Sequence, residues 1–267
     1  MPKISKVSAQ KRAGRYNIFL DGRYAFSASE NTVAKYVLLP GKELSDQQVE
    51  DIKQSDAVSR AEDLAARYLS YQPRSVFEVE SYLLKKGLEP EAANAAVSQL
   101  ANLGYLDDEK YASLVVQDSI HVGNNGPAKL RLKLKQKGVP DEAIEAALAE
   151  TKDDDWSDMA SRILRPLASQ KGRISQRQLE NKARQRLYSH GFSGDLAAEL
   201  LAETDLSQDE DLQESALAKQ GERAWRRYSR YDPRERRQKV RAALFRQGFA
   251  SGEISSFLDK MESEEED

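Results

Sequence analysis

The sequence predicts a mainly α fold, an elongated and curved array of tandem three-helix repeats preceded by a small N-terminal β-hairpin region. Three observations predict it. A leucine followed four residues later by a glycine, and then by an apolar residue, occurs four times: Leu83-Gly87-Leu88, Leu134-Gly138-Val139, Leu187-Gly191-Phe192 and Leu244-Gly248-Phe249. The glycines stand 51, 53 and 57 residues apart, and a near-fixed period marks units that bury their faces against neighbours. A second phrase keeps the same register, since Tyr68-Leu69-Ser70-Tyr71-Gln72-Pro73-Arg74 is echoed by Tyr228-Ser229-Arg230-Tyr231-Asp232-Pro233-Arg234. Finally, charged residues make up 32% of the chain and hydrophobic ones 39%. The average globular chain is roughly 25% charged, so thin, solvated layers suit this composition better than one thick core.

Residues 1–44 form the hairpin region with a short helix. Tyr16, Ile18 and Leu20 alternate, Asp21-Gly22 follows, and Tyr24 and Phe26 alternate again; Asp-Gly between alternating runs is a strong hairpin signal because both turn positions need positive φ. Ile4 and Val7 suggest a further strand. Ser29 caps a short helix, and Leu39-Pro40-Gly41 breaks the chain. A leading helical segment, 45–72, starts at a Ser45/Gln48 capping box and allows a break near Ser55. Repeats follow over 73–123, 124–172 and 173–230, with a partial fourth over 231–261 and an acidic tail over 262–267. Each opens on a cap: Ser75 with Glu78, Asn125 ahead of Pro127, Ser175 with Gln178, Asp232 with Glu235. In each, the glycine ends the first helix, where the left-handed conformation has no Cβ penalty. A second helix then carries Ala96-Val97, Ala147-Leu148, Leu200-Leu201 or Phe257-Leu258. Third helices are expected over 108–120, 156–169 and 208–228.

Catalytic patterns are missing from the sequence. There is no phosphate-binding Gly-x-x-x-x-Gly-Lys-Ser/Thr, no Gly-x-Gly-x-x-Gly, no Gly-x-Ser-x-Gly and no His-Glu-x-x-His. Cysteine is absent, and His121 and His190 have no partner at metal-ligand spacing. No metal, cofactor or enzymatic activity is expected. Asp107 reads as a helix cap, Asp153-Asp154-Asp155 as a linker with a cap, and Trp156 and Trp225 as core or half-buried residues. No run reaches the ~18 apolar residues of a membrane span, and the chain reads as cytoplasmic.

The net charge is −3, but the charges are segregated. Residues 129–137 hold five bases and no acid, 171–190 six bases and one acid, and 219–248 eleven bases and three acids. Residues 195–218 hold eight acids and no base. Arg131, Arg184 and Arg241 each stand three residues before the repeat leucine, whereas the first copy has Glu80. Recurrence at one repeat position is expected to line cations along one side of the array, where they can meet phosphates or an acidic protein groove. The candidate contact residues are Lys129, Arg131, Lys133, Lys135, Arg184, Arg186, Arg226, Arg227, Arg237 and Arg241.

The stretch Gly104-Tyr105-Leu106-Asp107-Asp108-Glu109-Lys110-Tyr111-Ala112, with Leu130 to Pro140 and Ile144 to Leu148 after it, resembles the core of the RecX family. Ser75 to Gly87 fits as well, and the hairpin Tyr16 to Phe26 is similar to the N-terminal extension of long, Gram-positive members. The resemblance implies a non-enzymatic regulator of the RecA recombinase that binds RecA nucleoprotein filaments in their groove and restrains ATP hydrolysis and strand exchange, with possible contact with single- or double-stranded DNA. The chain itself is expected to be a monomer with no membrane partner. The rival from the residues alone is a stand-alone DNA-binding protein built from helix-turn-helix-like repeats.

Overall fold

The structure, a computed structural model, describes residues 1–11 and 14–266. The chain divides into two compact units, one of Met1–Leu114 with Lys133–Ala147 and one of Val115–Leu132 with Leu148–Asp267.

The first unit opens with a three-stranded antiparallel sheet, β1 (Ile4–Ala9), β2 (Arg15–Leu20) and β3 (Arg23–Ser29), in the order β1-β2-β3. The β2–β3 turn has Asp21 at φ 48° and Gly22 at φ 81°, the two positive values that a two-residue turn of this hand requires. Ile4 and Val7 are three residues apart, which on a regular strand would put them on opposite faces. A bulge between Ile4 and Lys6 shifts the register. Ile4 is thereby buried, and Val7 packs against the same apolar cluster as Ile18, Phe26, Ala28, Leu38, Leu44 and Ile52. A small sheet alone is marginal in water. This one is pinned by Asp56, whose carboxylate accepts from the Ser29 amide (2.6 Å) and the Thr32 hydroxyl (3.0 Å) and pairs with Arg15 (2.8 Å).

After α1 (Glu30–Lys35), α2 runs unbroken over Asp46–Leu69. The expected break near Ser55 does not occur. No Gly or Pro interrupts the segment, and Ile52, Asp56, Ala61 and Ala65 are buried along it. Next come α3 (Val76–Lys85) and α4 (Pro90–Asn102). Ala61 and Ala65 of α2, Val79 and Leu83 of α3, and Ala93, Ala96 and Leu100 of α4 share one core. The helices α5 (Asp108–His121), α6 (Pro127–Gln136) and α7 (Asp141–Ala149) follow.

The second unit contains α8 (Asp153–Leu164), a 3-10 turn (Arg165–Gln170), α9 (Gln176–His190) and α10 (Gly194–Glu203). Asp153, Asp154 and Asp155 are the first turn of α8 rather than a linker, a place where the helix dipole favours acids. The last bundle is α11 (Glu210–Arg227), α12 (Pro233–Arg246) and α13 (Ser251–Glu266), with Ala216, Leu217, Trp225, Val240, Leu244, Phe249, Ile254 and Leu258 in its core.

These cores place the frame of the repeat one helix earlier than the spacing suggested. The helix α2 is the first member of a bundle with α3 and α4, and α11 is the first member of a bundle with α12 and α13. The leading segment 45–72 thus supplies the first helix of a bundle, and 231–261 supplies the second and third helices of the last one. A period read from sequence fixes the repeat length but not its phase, because the glycine marks the turn between the second and third helices equally well. The second repeat also starts differently: Pro127 is the first helical residue, so Gly126, not Asn125, precedes the helix, and Asn125 is held by the Ser119 hydroxyl instead.

The same joint recurs three times. The Ser75 hydroxyl accepts from the Glu78 amide (3.2 Å) and donates to the Lys137 carbonyl (2.5 Å) at the end of α6. The Ser175 hydroxyl accepts from the Gln178 amide (3.2 Å) and donates to the Gln247 carbonyl at the end of α12. At the start of α6, glycine replaces serine, and the Gly126 amide donates directly to the His190 carbonyl (2.7 Å). The repeat glycines lie against these helix starts. A methyl group on Gly138 would come 2.5 Å from the Phe77 Cγ, on Gly191 2.7 Å from the Lys129 amide nitrogen, and on Gly248 2.9 Å from the Arg177 Cβ. Gly87, the first of the series, meets nothing within 4 Å.

Candidate basic interface

The repeat leucines Leu134, Leu187 and Leu244 are completely buried. Three residues earlier, about 60° around the helix from the leucine, Arg184 and Arg241 are exposed and Arg131 is half-buried. Lys129, Lys133 and Lys135 on α6 are exposed too, Lys135 with Asp141 at 3.0 Å. The Arg241 guanidinium donates to the Ser255 hydroxyl (2.8 Å). Arg186 is half-buried, and its Nε is buried without a hydrogen-bond partner.

The remaining predicted cations belong to the last bundle, where Arg226 and Arg227 are exposed. Arg226 pairs with Glu222 one turn earlier (3.5 Å), and the Arg227 guanidinium lies 5.6 Å from the Tyr228 ring centre. Arg237 is gripped from α13 by Asp259 (2.7 Å) and Glu262. Its neighbour Arg236, which the spacing argument missed, stacks 3.8 Å over Trp225 and pairs with Glu265 at 2.9 Å. The Trp225 indole N–H donates to the same carboxylate (2.9 Å). That indole N–H and, beyond the opposing effect of desolvation, the Arg236 guanidinium hold Glu265 below the usual carboxylate range.

Residues 262–266 are thus the end of α13, not a separate tail, and Glu262 and Glu265 lie on the cations of α12. Asp267 lies outside the described residues. The consequence is testable. A chain ending at Met261 leaves Arg236 without a carboxylate and Arg237 with only Asp259. If the basic helices contact DNA, this shortened chain should bind it several-fold tighter in dilute salt, and the gain should vanish near 1 M salt, where the Debye length falls to about 3 Å. Equal affinities for the two chains in dilute salt would show that these carboxylates do not compete for the surface.

Lys219 and Arg223 of α11 join Arg173 around a cavity of about 500 Å³ in the second unit. This group also escaped the spacing argument, because Arg173 and Lys219 are far apart in sequence and only folding brings them together.

The Gly104 to Ala112 phrase has a structural explanation in the first unit. Gly104 turns at φ 77° and Leu106 is buried. Asp107 caps α5 by accepting from the Lys110 amide (3.0 Å), as its position suggested. Asp108 reaches across to accept from the Val76 amide at the start of α3 (3.0 Å). Burial, against the pull of that amide, raises Asp108 above the ordinary carboxylate range. Nearby, Glu78 accepts from Tyr111 (3.2 Å), Lys137 (2.5 Å) and Arg74 (3.3 Å). Sequence placed Glu78 in a capping box but gave no sign of its distant partners. Among the described residues, no group of three or more His, Cys, Asp or Glu could hold a metal, and no helix is long and apolar enough to cross a membrane.

Comparison with known proteins follows the same outline. Residues 2–45 match the family description "Regulatory protein RecX N-terminal domain". Residues 61–100, 107–148 and 211–258 match the first, second and third three-helix domains of RecX. A "Regulatory protein RecX" of Lactobacillus delbrueckii subsp. bulgaricus is 49% identical over 258 residues, covering 97% of this chain and 95% of the relative.

The chain belongs to the RecX family. A RecX of Bacillus licheniformis is 36% identical, covering 97% of this chain and 99% of its own. A solved "Crystal structure of regulatory protein RecX" superposes with a TM-score of 0.63 at 32% identity, over 76% of this chain and all of that one. RecX from Lactobacillus salivarius gives 0.54 at 29% identity, over 57% of this chain and 99% of that one. The matched RecX three-helix domains begin in α2, before α5 and in α11, the same phase that the packed cores show. Residues 149–210, which hold α8 to α10, fall between the second and third matches.

Proposed function

We propose that this RecX family member regulates the RecA recombinase by lying along RecA–DNA filaments and restraining ATP hydrolysis and strand exchange. The observation that carries the reading is the near-full-length kinship with regulatory RecX proteins. Supporting it, Arg184 and Arg241 recur outside the buried repeat leucines. Successive weak contacts on successive filament subunits act through effective concentration, so one dominant hot spot is unnecessary. Lys129, Arg131, Lys133 and Lys135 of α6, Arg184 and Arg186 of α9 and Arg241 of α12 are assigned the contact. Arg237 is secondary to it, since Asp259 and Glu262 already hold its charge within the bundle.

The test compares binding to bare DNA and to DNA coated with RecA and ATP, while ATP hydrolysis is followed. Preferential binding to the coated filament with slowed hydrolysis is expected. Charge reversal of Arg131, Lys135, Arg184 and Arg241 together should weaken filament binding by at least tenfold, or about 1.4 kcal/mol. Equal binding to bare and coated DNA would favour the stand-alone DNA-binding protein. Unchanged filament binding by the reversed chain would move the interface elsewhere.

A further inference from the structure

A cavity of about 440 Å³ lies in the first unit between the sheet, α2 and α3. Arg15 of β2, Arg60 and Arg67 of α2 and Lys86 at the end of α3 line it, against the single carboxylate of Asp63. Four cations and one carboxylate leave the lining with a formal charge of +3. Arg60 and Arg67 are seven residues apart, two helical turns, and so share a side of α2. Among the described residues, neither of them, nor Lys86, is joined to a carboxylate. Asp63 stands one turn ahead of Arg67, the favoured acid-to-base order for a helical ion pair, yet the two form none. Arg15, by contrast, is fixed: Asp56 holds it at 2.8 Å and it donates to the Ser27 hydroxyl at 2.9 Å. Tyr82, also in the lining, is stacked on Tyr68 with ring centres 4.2 Å apart and planes at 7°.

Arg60, Arg67 and Lys86, none of them joined to a carboxylate among the described residues, converge with Arg15 on one concavity, where an anion would relieve their mutual repulsion. Arginine forks match the oxygens of phosphate groups, and three of the four cations are arginines. The volume falls within the roughly 300–1,000 Å³ of small-molecule sites, and walls from three elements suit a compact ligand better than a long strand. We propose that this cavity binds the oligophosphate chain of a nucleotide-sized ligand. None of the α6, α9 or α12 cations lines it, and it stands or falls independently of filament binding.

The test is calorimetric titration of the full chain with sodium tripolyphosphate and with ATP, both without metal, in dilute salt. Saturable one-site binding of both is expected. Replacing Arg60 and Arg67 together by alanine should weaken both by at least about tenfold, Asp63→Asn should strengthen both, and Arg184→Ala should change neither. Arg60 and Arg67 are exposed, so the variant should melt like the parent; if it does not, the single Arg67→Gln change is read instead. Absence of saturable binding, or equal binding by the arginine variants, overturns the proposal. Saturable binding of a short DNA oligonucleotide with none of tripolyphosphate also overturns it and assigns the surface to nucleic acid.

Discussion

Replacing Gly138 with alanine should destabilise the first unit by about 3 kcal/mol, as the sum of two penalties. Gly138 has φ 72°, and the left-handed conformation costs an L-residue roughly 1–2 kcal/mol. The added methyl would also come 2.5 Å from the Phe77 Cγ, and relieving such overpacking costs typically about 1–3 kcal/mol. Gly87→Ala is the control. It has φ 78° but open space around it, so only the conformational penalty of about 1–2 kcal/mol applies. Denaturant titration of both variants separates the effects. Phe77 is half exposed, so Phe77→Ala should cost little itself and should recover part of the Gly138→Ala loss in a double-mutant cycle. Equal losses at Gly87 and Gly138 would mean that the joint bears no packing load.

The second large effect is expected at Glu78. Its carboxylate is only 12% exposed and receives Lys137 at 2.5 Å, Arg74 at 3.3 Å and Tyr111 at 3.2 Å. Glu78→Ala strands these donors and should cost about 2–3 kcal/mol, with Glu78→Gln between it and the parent. Burial pushes Glu78 upward, but the Lys137 ammonium, the Ser75 amide and the Tyr111 hydroxyl outweigh it and hold the carboxyl below its ordinary 4.5. A depressed carboxyl stabilises the fold fully above its unfolded value, and that contribution is lost as pH falls through the folded value. The gap between parent and Glu78→Gln should therefore close on acidification below pH 4.5. At the alkaline end the sign reverses. Burial and the Glu78 charge push the Tyr111 phenol from 10.0 up to about 12. An unfolded chain ionises first, so stability should fall between pH 10 and about 12, and Tyr111→Phe should remove that part of the slope. Parallel pH profiles for parent and variants would exclude this network as the cause.

Local signals carried most of the fold. The Asp21-Gly22 turn, the Ser45 and Ser75 capping boxes, the Asp232 cap and the repeat glycines are each settled by a few adjacent residues, and each was legible. The phase of the repeat was not, because it depends on which neighbour a helix packs against, and Ala61 with Ala65 only shows its partner once α4 is in place. The candidate cations were legible in the recurrence of Arg184 and Arg241 at one repeat position, and both are exposed. The pairing of Arg237 was not, since its partners Asp259 and Glu262 lie more than twenty residues away on another helix. The cationic lining of the first-unit cavity was equally hidden, as Arg15 and Lys86 come from distant parts of the chain.

The recurring joint makes the chain extensible. Residues 149–210 carry both halves of the connection: Gly191 and the His190 carbonyl receive the start of α6, and Ser175 is offered to the Gln247 carbonyl before Gly248. Such a segment can be gained or lost by duplication or excision while its neighbours keep their own coupling parts. Gly248 makes a turn of the same make as Gly191. Length in this architecture is thereby an inherited variable, adjustable one unit at a time, and the contact points carried by each unit come and go with it.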